Sequence, residues 1–113
     1  MDAILQGTTP TFRYKVKTTD FLVTDVTKLE LTIKNMGNMV IHGLDDVTVD
    51  AEENRFIYKF TEAETLALNP ADLVRFQLRF MFADGSILGS TQIKVTVSDL
   101  MSEEVLSDDL QDG

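Results

Sequence analysis

Strict alternation of apolar and polar side chains recurs along this chain, and that period of two constrains its fold more than any other feature. It is cleanest in Val74, Phe76, Leu78, Phe80 and Phe82, interleaved with Arg75, Gln77, Arg79 and Met81. The same pattern places Phe12, Tyr14 and Val16 opposite Arg13, Lys15 and Lys17. It recurs in Leu29, Leu31 and Ile33, and again in Ile93, Val95 and Val97. Successive side chains of a strand point to opposite faces, so each run predicts one face packed on a core and one in water, as in an antiparallel sheet. Shorter strands are predicted over Met39–His42, Val47–Asp50 and Arg55–Phe60.

Turn chemistry falls between these runs. Asn35-Met36-Gly37-Asn38 and Asp84-Gly85 offer residues that tolerate positive φ, Glu52-Glu53-Asn54 separates two strands, and Gly89 predicts a bulge in the last one. Thr9-Pro10 removes an amide donor where the first strand begins. One segment is helical: Thr61-Glu62-Ala63-Glu64 has the Thr-x-x-Glu form of a capping box, and Asn69-Pro70 ends the run, with Leu66 and Leu68 expected to plug an open end of the core. About seven strands with one short helical crossover predict an all-β, immunoglobulin-like two-sheet β-sandwich, with an open barrel as the rival.

At 113 residues the chain has the length of one domain, large enough to hold a core without disulfides or zinc, and it has no cysteine with which to make either. The net charge of −9 is uneven: residues 99–113 carry six acids and no base, leaving thirteen acids against ten bases before them. The expected organisation is therefore a sandwich over residues 1–98 followed by an acidic tail, 99–113. A negative chain disfavours nucleic acid and anionic membrane as partners. The N-terminus lacks the basic and apolar segments of a cleavable signal, so a soluble, non-exported product is expected.

Catalytic chemistry finds little to work with. His42 is the one histidine, at a strand end before Gly43, and is expected to face water or bond a turn. The six glycines are dispersed and form no phosphate loop. Asp45, Asp46, Asp50, Glu52 and Glu53 cluster without the order of a calcium loop. No enzyme, metal or cofactor is expected. Interaction is the remaining reading. Arg75, Arg79 and Lys94 share the outward parity of two strands expected to be neighbours, and this stripe could receive an acidic segment such as the tail of another copy. Exposed ion pairs are worth only about 0–1 kcal/mol each, so Leu100, Val105 and Leu106 would have to bury apolar area alongside. Within the tail, Ser102 is placed to cap a short helix gathering Met101, Val105 and Leu106.

Several stretches together carry a resemblance: Leu5-Gln6-Gly7-Thr8-Thr9-Pro10-Thr11, Leu29–Lys34, Phe60–Leu66, Val74–Phe80 with Ala83-Asp84-Gly85, and Glu104-Val105-Leu106. In order and spacing they resemble small β-sandwich proteins from phage and prophage structural-gene clusters of Gram-positive bacteria, similar in style to the N-terminal domain of baseplate upper proteins. Arg75 departs from that pattern, which has an acid there. The resemblance implies a non-enzymatic virion component of tail, baseplate, neck or head, assembled in the bacterial host cytoplasm. Its partners would be other virion proteins or further copies of itself, as a homo-oligomer. The alternative is a carbohydrate- or receptor-binding module, which would need aromatics on an exposed face; here they share the apolar parity.

Overall fold

A computed structural model describes residues 3–100. It contains nine strands: β1 (Ala3–Leu5), β2 (Thr11–Lys15), β3 (Val26–Asn35), β4 (Asn38–His42), β5 (Thr48–Asp50), β6 (Arg55–Lys59), β7 (Val74–Phe82), β8 (Ile87–Gly89) and β9 (Ile93–Ser98). Among the described residues one α-helix, α1, spans Glu62–Leu66, and two 3-10 turns span Val23–Asp25 and Leu44–Asp46. The strands form two sheets. One runs β1-β9-β7-β3-β4, with β8 also paired to β7; the other is β2-β6-β5. Every pairing is antiparallel except β1 with β9. This is the connectivity of an immunoglobulin-like β-sandwich, and the chain is an all-β two-sheet protein.

The alternating runs place their apolar residues between the sheets as expected. Phe12 of β2 stacks on Phe76 of β7 with ring centroids 4.3 Å apart, and Phe56 of β6 stacks on Phe80 at 5.5 Å. Phe60 meets Phe76 edge-on, and Tyr14 leans against Phe80. Aromatic contacts of this kind add about 0.5–1.5 kcal/mol beyond area burial. They pin sheet to sheet in a chain that has neither the disulfide nor the tryptophan of antibody domains.

Turn chemistry acts through particular residues. Met36 and Gly37 both take positive φ (49° and 83°), the two-residue turn whose twist matches that of paired strands. Between β8 and β9 the register on β7 slips by one residue: Arg79 faces Gly89, while Arg75 faces Lys94. This is the bulge expected beside Gly89. Ser90 fills the break, accepting from the Leu78 amide through Oγ and donating its own amide to the Leu78 carbonyl.

Two expectations need correction. The strand predicted at Phe12–Val16 is present as β2, but it is preceded by an unpredicted one: β1 adds to β9 in parallel and drives Ile4 fully into the core. Three residues are too short to show a period. The plug of the sandwich end is Thr65 rather than Leu66; Thr65 is fully buried, Leu68 packs partly against the core, and Leu66 stays half-buried. Thr65 can be buried because its hydroxyl is bonded, donating to the carbonyls of Thr8 (2.8 Å) and Glu62 (3.1 Å). The predicted capping box is present: Thr61 Oγ1 accepts from the Glu64 amide and Glu64 Oε1 from the Thr61 amide.

Candidate functional site

The two sheets differ in width. Five strands lie abreast in one and three in the other, so β4 overhangs at an edge. Its residues pair with β3 as Asn35–Asn38, Lys34–Met39, Ile33–Val40, Thr32–Ile41 and Leu31–His42. Met39 and Ile41 therefore share the outer face of Lys34 and Thr32, while Val40 and His42 share the inner face of the buried Ile33 and Leu31. Met39, Val40 and Ile41 are 57, 49 and 52% exposed, so β4 is apolar and wet on both faces.

Beneath the overhang lies a groove of about 380 Å³, lined by Ile33, Val40, Phe60, Ala67, Leu68 and Glu64 among others. A larger one of about 600 Å³ opens near the Leu44–Asp46 turn, where Lys28, Glu30, Arg79, Asp45 and Asp46 mix both signs of charge.

One end of the overhang is tethered by polar groups. The His42 ring leans against Tyr58 with centroids 4.5 Å apart, its Nδ1 3.3 Å from Asp46 Oδ2 and its Nε2 3.7 Å from Glu64 Oε2. The Tyr58 hydroxyl donates to that same Glu64 oxygen. Burial raises the Tyr58 pKa, and its bond to the Glu64 carboxylate raises it further. Burial also acts to raise the Glu64 pKa, but hydrogen bonds from Tyr58 and from the Thr61 amide and hydroxyl outweigh it and hold the carboxyl below its ordinary value. His42 thus bonds a turn, as expected, yet its ring lies against β6 instead of in water. The arrangement ties β4 to α1 and β6, which sets the orientation of the free edge.

The predicted basic stripe is only partly assembled. Arg75 and Lys94 are direct cross-strand partners on β7 and β9, and Lys34 of β3 extends the same row. Arg75, however, is held by Asp72 (3.2 Å), and Arg79, two pleat repeats further on, by Glu30 (2.9 Å). The Met36 amide, the Arg75 guanidinium and the Leu73 amide hold the Asp72 carboxyl below its usual pKa. Two of the three cations are therefore engaged within the domain, leaving Lys94 without an ion pair among the described residues. Leu100 lies against Gly7 and donates its amide to Gln6 Oε1 at 3.2 Å. Val105 and Leu106, with the helix expected at Ser102, lie outside the described residues.

The interaction residues expected from patterning, Arg75, Arg79, Lys94, Leu100, Val105 and Leu106, do not include β4. Its signal is nevertheless in the sequence: Met39-Val40-Ile41 are three consecutive apolar residues that break the alternation, a pattern that leaves neither face polar. No protein-family model matches the chain, and no curated protein matches it.

Proposed function

We propose that this chain is a non-enzymatic phage virion structural or accessory protein that works through protein–protein contacts, with the β4 edge as its principal contact element. The observation that carries the contact role is the half-exposed Met39-Val40-Ile41 run on an edge strand with one side unpaired. An edge strand offers a row of free amides and carbonyls, and proteins ordinarily blunt such edges with charge, proline, bulges or cover. The other edges are short or charged: β2 carries Arg13 and Lys15 and is preceded by Pro10, β5 has three residues and ends on Asp50, and β1 and β8 have three residues each, β8 with Ile87 and Leu88 exposed. β4 carries no charge and no proline.

The virion setting rests on the resemblance to phage structural-cluster sandwiches. The carbohydrate-binding alternative draws no support from the aromatics, since Phe12, Phe56, Tyr58, Phe60, Phe76 and Phe80 are all buried. Mass spectrometry of particles purified from an induced lysogen carrying the gene tests the proposal. The chain is expected at stoichiometric abundance, and its absence from intact particles would overturn the virion role. An Ile41→Lys chain supplied in trans is expected to incorporate poorly; full incorporation would move the contact away from β4.

A further inference from the structure

We propose that β4 pairs with β4 of a second copy across a two-fold axis through Val40, joining two sandwiches into one continuous sheet. This deepens the contact reading above by naming the partner and the register. The Met36-Gly37 turn makes Asn35 and Asn38 a hydrogen-bonded pair, and bonded and non-bonded pairs alternate along an antiparallel ladder. Ile33–Val40 and Leu31–His42 are then bonded pairs too, so the amides and carbonyls of Met39 and Ile41 face the free edge. In a two-fold antiparallel pairing centred on Val40, Met39 of each copy meets Ile41 of the other. The two pairs exchange four backbone hydrogen bonds.

Neighbouring registers are poorer. A shift toward the C-terminus requires the Gly43 amide, which already donates to Asp46 Oδ2 at 3.3 Å, and a shift toward the N-terminus runs into the Met36-Gly37 turn. In the Val40-centred register Met39 and Ile41 pack side by side on the outer face, and the two Val40 side chains meet above the grooves on the inner face. Asn38 falls opposite His42. The sequence Asn-Met-Val-Ile-His brings no charge to face a like charge, so the strand is complementary to its own reverse. Heterologous partners need a matching strand of their own; this edge already matches itself.

A stable dimer commonly buries roughly 800 Å² per partner, and a five-residue edge with its flanking side chains supplies on the order of half of that. The pairing is accordingly a weak one, with dissociation expected in the micromolar to millimolar range. Such strength suits contacts that are repeated many times in one assembly.

The absence of cysteine makes the register directly testable. Across a non-bonded pair the Cα atoms lie about 4.5 Å apart, within reach of a disulfide. Full-length Val40→Cys is therefore expected to cross-link to a covalent dimer on mild oxidation, whereas Met36→Cys and Ile87→Cys are not. Sedimentation equilibrium of the unmodified chain should show mass rising with concentration toward two chains and no further. Ile41→Lys, with an unchanged circular dichroism spectrum, should raise the dissociation constant several-fold to about tenfold, because the two-fold axis makes one substitution remove both Met39–Ile41 apolar pairs. A chain monomeric at about 1 mM, a mass beyond two chains, cross-linking at Ile87→Cys in place of Val40→Cys, or an unaffected Ile41→Lys would each overturn the pairing. A monomer that is nevertheless abundant in particles refutes this inference and leaves the virion reading standing; a dimer absent from particles does the reverse.

Discussion

Asn54 joins two loops at one end of the sandwich, and its replacement gives a sharp stability test. It is buried, with φ at 51°, a conformation that asparagine tolerates better than alanine. Its Nδ2 donates to the carbonyls of Val16 (2.9 Å) and Phe21 (3.0 Å), and its Oδ1 accepts from the Val23 amide at 2.8 Å. Asn54→Ala removes three hydrogen bonds at about 1 kcal/mol each and adds about 1 kcal/mol of backbone strain. The expected loss is about 4 kcal/mol, a large share of the roughly 5–15 kcal/mol that holds a domain together. Urea unfolding followed by circular dichroism measures it, with Tm expected to fall by roughly 15–30 °C. Asn54→Gly relieves the strain but not the lost bonds, so it should recover about 1 kcal/mol at most. Asn54→Asp keeps the acceptor for Val23 but turns a carboxylate toward two carbonyls. It should be no better than alanine at neutral pH and improve as pH falls and the carboxyl takes up a proton, because this group's folded pKa is raised. An alanine variant within about 1 kcal/mol of the parent, or an aspartate variant equal to it at pH 7, would refute the role assigned to the amide.

Other expectations follow from contacts described above. Tyr58→Phe removes the donor to Glu64 and should cost about 1–2 kcal/mol at neutral pH. Because the Glu64 pKa is lowered in the fold, its contribution is present above the ordinary carboxylate range and is lost as pH falls; without Tyr58 that loss should be smaller and complete at a higher pH, read as Tm against pH. Phe76→Ala deletes the ring that stacks on Phe12 and should cost about 3–5 kcal/mol in denaturant unfolding. Gly7→Ala combines φ of 76° with a Cβ only 2.7 Å from Leu100 Cδ2; it should cost about 1–2 kcal/mol and speed proteolysis C-terminal to Ser98 by displacing Leu100.

How much of this could be read from the residues divides along physical lines. Alternation in β2, β3, β6, β7 and β9, the Thr61–Glu64 capping box and the positive-φ turn at Gly37 are local rules, each satisfied within a few neighbouring residues, and they carried the two-sheet sandwich. The neighbouring positions of Arg75 and Lys94 were also legible, because outward parity and a hairpin connection suffice to bring them together. Their freedom was not: Asp72 holds Arg75, and Glu30, forty-nine residues from Arg79, holds Arg79. Likewise Asn35 and Asn54 read as turn residues, yet each turns its side-chain amide into the protein and binds backbone more than thirty residues away.

By itself the sequence determined most of the strands, which way the alternating ones would face, and that the aromatics would be spent on the core. Only the tertiary structure decided that one sheet is wider than the other. That mismatch in width leaves Val40 uncovered on the inner face, between Met39 and Ile41 on the outer one, although nothing in their residue types distinguishes them from core residues. Burial of an apolar side chain depends on what lies opposite, and what lies opposite β4 is set by how many strands the other sheet contains.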